Sequence, residues 1–120
     1  MDRDTDLFVQ GFWVKCRDVI RPELDLVIDD LKGKGHDAHV ATQEYSPIVD
    51  KLPEIGPVLT LTVHPNGAKE AQTLRFHGDV AKRDVEVIGS GSKTLRHDMS
   101  VIDTALVRRE IADWLAAAIK

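Results

Sequence analysis

Residues 58–88 read VLTLTVHPNGAKEAQTLRFHGDVAKRDVEVI, with apolar side chains alternating through Leu59, Leu61 and Val63, then Leu74 and Phe76, then Val85 and Val87. Successive residues of a strand point to opposite faces, so the pattern specifies three strands with one buried and one polar face. A segment of helical period lies on either side. A sheet with a single apolar face leaves one side for helices to cover.

Cross-strand partners must keep the same faces inward, and that rule sets a register. With Asp79 to Lys82 as a four-residue loop after Gly78, Phe76 pairs with Val85 and Leu74 with Val87 inside, while Arg75 meets Glu86 and His77 meets Asp84 outside. Both outer pairs are complementary in charge. Pro65-Asn66-Gly67 marks the preceding turn, and pairing Val63 with Leu74 sets Thr62 opposite Arg75 and Thr60 opposite His77. The polar face is then expected to carry two rows, Thr62-Arg75-Glu86 and Thr60-His77-Asp84.

Upstream, Phe8, Phe12, Cys16, Val19, Ile20, Leu24, Val27, Ile28 and Leu31 recur at helical spacing from Asp6 to Leu31. Thr5 or Asp4 can cap the start, and Gly33 and Gly35 supply the stop. Pro22 removes a backbone donor in mid-helix, which predicts a kink or break near Arg21. The apolar positions, Trp13 among them, cover an arc of ~160° against the usual ~100°. Such width implies deep burial or contact with a second subunit, with Trp13 and Val14 as candidate interface residues. Cys16 lies on the apolar side and reads as a small buried hydrophobe.

His36 to Tyr45 reads as a first strand, with Ala38 and Val40 on one face and His39 and Gln43 on the other. Ser46 to Gly56 holds Pro47 and Pro53 and reads as a loop, with a single turn near Val49 to Leu52. Gly89 to Met99 reads as a polar connection. Ser100 to Asp103 has capping-box character, and a helix is expected from Thr104 to Ile119 with Val107, Ile111, Trp114, Leu115, Ala118 and Ile119 buried. The expected fold is a single α+β domain over residues 1–120. It is a two-layer sandwich in the order α-β-β-β-β-α, a four-stranded antiparallel sheet with both helices packed on one face.

The 120 residues carry 16 basic and 20 acidic side chains, a net charge of −4, which argues against a large nucleic-acid footprint or an anionic membrane surface. The polar face offers Arg75 and His77 but no aromatic platform for single-strand stacking. No apolar run reaches the roughly 18 residues of a membrane span, and Met1 to Asp6 lacks a signal-peptide pattern, so a cytoplasmic location is expected. One cysteine forms no internal disulfide.

Candidate chemistry is sparse. The row Thr60, His77, Asp84 places an imidazole between a hydroxyl and a carboxylate, the order of a nucleophile, base and orienting acid. On a flat solvated face without an oxyanion hole the same row is polar stitching, and the expectation leans against an enzyme. His36 and His39, three apart on a strand, face opposite sides and cannot chelate one ion; no metal or cofactor is expected. Gly89-Ser90-Gly91-Ser92-Lys93-Thr94 lacks P-loop spacing but permits a loose anion nest around Lys93 and Arg96.

The acidic residues Asp2, Asp4, Asp6, Asp18, Glu23, Asp25, Asp29 and Asp30 crowd the first helix. In layout the chain resembles the frataxin family, a helix, an antiparallel sheet and a second helix, which would imply an acidic ridge used for iron. Here Arg3, Lys15, Arg17, Arg21 and Lys32 are interleaved with the acids, the sheet carries no tryptophan, and no sequence motif is shared. Type III secretion chaperones are similar as small acidic α+β proteins, but carry a helix where this chain has the proline-bearing Ser46 to Gly56. Neither family's properties are carried over. The expected function is a small protein-binding or adaptor module, self-association as a homodimer included. The alternative is an enzyme or small-ligand binder using the loops 46–56 and 89–99, the two long connections.

Overall fold

The computed structural model describes residues 3–47, 50, 53–90 and 94–118. Helix α1 (Arg3–Lys15) runs into a π-helical turn (Cys16–Ile20) and on into α2 (Arg21–Gly33). Strands β1 (Asp37–Gln43), β2 (Val58–His64), β3 (Gln72–Asp79), β4 (Asp84–Gly89) and β5 (Leu95–Asp98) follow, then a short 3-10 turn (Met99–Val101) and α3 (Thr104–Ala118). The class is α+β with an antiparallel sheet. That sheet has five strands in the order β1-β2-β3-β4-β5, not four, because Leu95 to Asp98, expected to lie in a connection, pairs with β4.

Where a kink or break is expected near Arg21, the N-terminal helical run carries a π-helical turn, Cys16–Ile20. In the widened turn the Arg21 amide donates to the Cys16 carbonyl, five residues back. A proline ring crowds the carbonyl four residues earlier in a regular helix; one extra residue in the turn moves that carbonyl aside. Pro22 then sits in the first turn of α2, where its missing N–H costs nothing, and the helix continues. At the other end of the chain, Asp103 Oδ1 accepts from the Leu106 amide at 2.8 Å and caps α3.

One core joins the layers: Phe12, Cys16, Ile20, Leu24, Ile28 and Leu31 from the first helical run, Leu59, Leu61, Val63, Leu74, Phe76, Val85 and Val87 from the sheet, and Val107, Ile111 and Trp114 from α3. Burial at Cys16 pushes its thiol up to about 12, that of an inert buried side chain. Glu23 adds a polar tie, accepting both forks of the Arg108 guanidinium at 3.0 and 3.1 Å to bind α2 to α3. Among the described residues no helix is long and apolar enough to cross a membrane.

The expected faces hold, but both inner hairpins slide by two residues. Leu61 pairs with Leu74 and Leu59 with Phe76, rather than Val63 with Leu74. Across the next hairpin Phe76 pairs with Val87 and His77 with Glu86, rather than with Val85 and Asp84. A two-residue slide leaves every apolar side chain on its own face, so alternation alone cannot detect it. The turn supplies the deciding contacts. Asp79 Oδ1 accepts from the amides of Ala81 and Lys82, each at 3.0 Å, Arg83 N donates to Asp79 O, and Arg83 takes a left-handed φ of 60°. The loop is therefore residues 80–83, one position later than expected.

In a meander, connections alternate between the two ends of the sheet. The β1–β2 connection leaves from the same end of the sheet as the β3–β4 turn, and the β4–β5 connection from the opposite end. The turn expected near Val49 to Leu52 falls largely outside the described residues.

Candidate functional site

On the face of the sheet turned away from the core, the described polar side chains fall into new rows. Thr60 lies opposite Arg75, and Arg75 opposite Ile88; Val58 lies opposite His77, His77 opposite Glu86, and Glu86 opposite Arg96. The expected Thr60-His77-Asp84 row is thus dissolved. His77 Nδ1 stands 3.0 Å from Glu86 Oε1, and no hydroxyl completes a relay on that row.

Arg96 closes the β5 end of the row. Its guanidinium lies 2.8 Å from Asp84, 3.1 Å from Asp79 and 3.2 Å from Glu86, so its charge is already met by three carboxylates instead of facing an anion. Lys93, the other half of the expected anion nest, lies outside the described residues. Burial alone would raise the Asp79 carboxyl, but the Lys82 amide, the Arg96 guanidinium and the Ala81 amide outweigh it and hold Asp79 below its ordinary value. A carboxyl lowered by folding stabilises the fold above its unfolded value, and that contribution is lost as pH falls through the folded value. Arg96→Met should therefore lower the urea midpoint at neutral pH, and the difference from the parent chain should close below about pH 3 as the carboxylates protonate. Urea titrations at the two pH values read this directly; a difference that persists in acid would mean that Arg96 acts through packing.

Beside this cluster, Gln43, Ile55, Val58, Arg75, His77, Glu86 and Ile88 line a groove of about 340 Å³. Its lip is the 44–57 connection, pinned by a bridge between Ser46 and Ile55 and by Tyr45 Oη donating to Glu54 at 2.6 Å. Pro57 then extends the β2–β3 ladder by one residue, Gly78 N donating to Pro57 O at 2.8 Å. Within the groove Glu86 is engaged by both His77 and Arg96, whereas Arg75 has no hydrogen-bond or ion-pair partner among the described residues. Five guanidinium N–H donors thus stand over an apolar floor of Val58 and Ile88.

The remaining sites are elsewhere. Trp13 turns inward, meets Phe12 edge-on at 5.2 Å and lines a slot with Cys16, Thr42 and Leu59, whereas Val14 is 45% exposed; the two expected interface residues face different ways. His39 stacks on His64 across β1 and β2 at 6.0 Å, and His36 Nδ1 accepts from the Asn66 amide. Among the described residues no group of three or more His, Cys, Asp or Glu side chains is placed to hold a metal ion. A second cleft, between α3 and the β4–β5 edge, contains Glu110 and Trp114. Sequence reasoning missed it because β5 was read as a connection. The available signal was Glu110 itself, which falls on the Val107, Ile111, Trp114 stripe where the helical pattern calls for an apolar residue.

Comparison of the chain with protein-family models, with curated proteins and with solved structures finds no match.

Proposed function

We propose that this chain is a small binding module whose partner is a protein segment seated on the outer face of the sheet. The occupant is an extended segment carrying a carboxylate flanked by apolar side chains. The observation that carries this reading is Arg75: a guanidinium with no hydrogen-bond or ion-pair partner among the described residues, in a groove with Ile55, Val58 and Ile88 in its lining, beside a carboxylate whose own partners are already in place. A planar fork of donors matches a carboxylate bidentately, and the apolar floor gives flanking side chains somewhere to bury. Ile55, from the connection between β1 and β2, forms part of one wall of that groove. No constellation of nucleophile, base and orienting acid competes with binding for these residues. Self-association through α1 is the second reading: Trp13 is only half-buried, and Leu7 and Val14 are exposed seven residues apart on that helix.

Selection from a random peptide library on the immobilised chain tests the reading. The enriched peptides should carry Asp or Glu beside apolar residues, and Arg75→Glu should weaken them at least about tenfold while leaving the fold intact. Peptides enriched in Lys and Arg, or acidic peptides indifferent to Arg75→Glu, would contradict it.

A further inference from the structure

The cleft between α3 and the edge of the sheet is lined by Leu74, Val87, Gly89, Leu95, Glu110, Asp113 and Trp114, and encloses about 210 Å³. Its walls are apolar, yet Glu110 lies among them with only 7% of its surface exposed. An ionised carboxylate withdrawn from water is expensive unless a counter-charge and hydrogen bonds replace its hydration. Neither is complete here. The nearest candidate is His97, whose Nε2 stands 3.4 Å from Glu110 Oε1, beyond ordinary hydrogen-bond length. That nitrogen is itself buried without a hydrogen-bond partner, and Glu110 makes no hydrogen bond among the described residues. Trp114 is 3% exposed, and its Nε1 is also buried without a partner. Asp113, on the next position of α3 to line the cleft, adds a second carboxylate at the exposed rim.

We infer that this cleft binds a small organic ammonium ion, a primary amine on a short aliphatic or aromatic body. The ammonium supplies a full positive charge and three donors to a carboxylate whose only ion-pair contact among the described residues is the long one to His97. The indole of Trp114 offers a cation–π surface. Leu74, Val87 and Leu95 take the apolar body, and the volume suits a single ring with an aminomethyl group. A neutral ligand would leave the carboxylate with only its long contact to His97, and an anion would face two like charges. The site lies on the opposite layer of the sheet from the Arg75 groove, uses none of its residues and stands independently of the proposal made there.

The full chain, labelled with nitrogen-15, is titrated with benzylammonium, benzyl alcohol and phenylacetate while its amide and indole signals are followed. Benzylammonium should bind saturably and move the Trp114 indole and Leu95 amide signals. Benzyl alcohol should bind at least about tenfold more weakly, and phenylacetate should leave the signals unmoved. Glu110→Gln, which preserves shape and removes the charge, should weaken benzylammonium at least about tenfold with the dispersed spectrum of a folded chain. Should that variant fail to fold, the comparison of the three ligands on the parent chain and the effect of Asp113→Asn decide. Absence of saturation with benzylammonium, equal binding of the alcohol, or unchanged affinity in folded Glu110→Gln would each overturn the inference, the last by assigning Glu110 to His97 alone.

Discussion

Gly56→Ala is expected to cost about 3 kcal/mol or more of stability, a large effect for adding one methyl group. Gly56 lies just before β2, against the end of β3, and a Cβ there would overlap the Gly78 carbonyl oxygen and come within 2.9 Å of His77 Nε2. The obstacle is backbone, which cannot rotate aside as a side chain can. To admit the methyl, the connection must lift off the sheet, and the hydrogen bond from Gly78 N to Pro57 O goes with it. A change of this size is a large fraction of the typical 5–15 kcal/mol holding a domain folded, so thermal and urea midpoints should both fall clearly. The same movement displaces the groove wall beside His77. A loss below about 1 kcal/mol would show that the connection does not press on β3 as described.

Phe12→Ala should be comparably severe, at about 3–5 kcal/mol, the usual cost of emptying a buried aromatic site. Phe12 is fully buried and ties α1 to the same end of the sheet. Its ring bears directly on β3: a Cβ added at Gly78 would meet Phe12 Cδ1 at 3.1 Å and Pro57 Cγ at 3.0 Å. Helix, strand and connection are therefore stacked without room for a methyl between them. Gly78→Ala should cost about 1–3 kcal/mol in the parent chain and visibly less once Phe12 is alanine, because half of the obstruction is gone. Urea unfolding of the two single variants and the double variant measures the coupling. Strict additivity would mean that the ring and the strand do not constrain each other.

The sequence discloses faces better than partners. Leu59, Leu61, Val63, Leu74, Phe76, Val85 and Val87 all point inward as their alternation predicts, since a period of two assigns sides without reference to any other strand. The slide between strands is set by turn chemistry, and the Asp79 side chain capping two amides is a local contact that alternation does not encode. Charge complementarity does not resolve it, because His77 meets a carboxylate in either register: Asp84 in the expected one and Glu86 in the observed one. Strand β5 was illegible for a related reason. It is four residues long, at the edge, and its inward positions are Leu95 and the polar His97.

That missed strand also hid the cleft under α3, whose Glu110 becomes meaningful only once His97 is known to face it. At Pro22 the sequence discloses that the regular α-helix is interrupted near Arg21 but not the form of the interruption, a π turn that lets the helical run continue. For the Arg75 groove, the sequence placed Arg75 on the outer face, whereas the groove's other residues come from four strands and a connection that no local pattern joins.

In the reading proposed above, the outer face of the sheet is the binding surface. Its most direct test is a nuclear magnetic resonance map of the labelled chain with a selected acidic, apolar-flanked peptide. The account predicts shifts centred on Thr60, Arg75, His77 and Ile88, extending to Ile55 and absent in Arg75→Glu. Shifts centred instead on Leu7 and Val14 of α1, or on the α3 cleft, would contradict it.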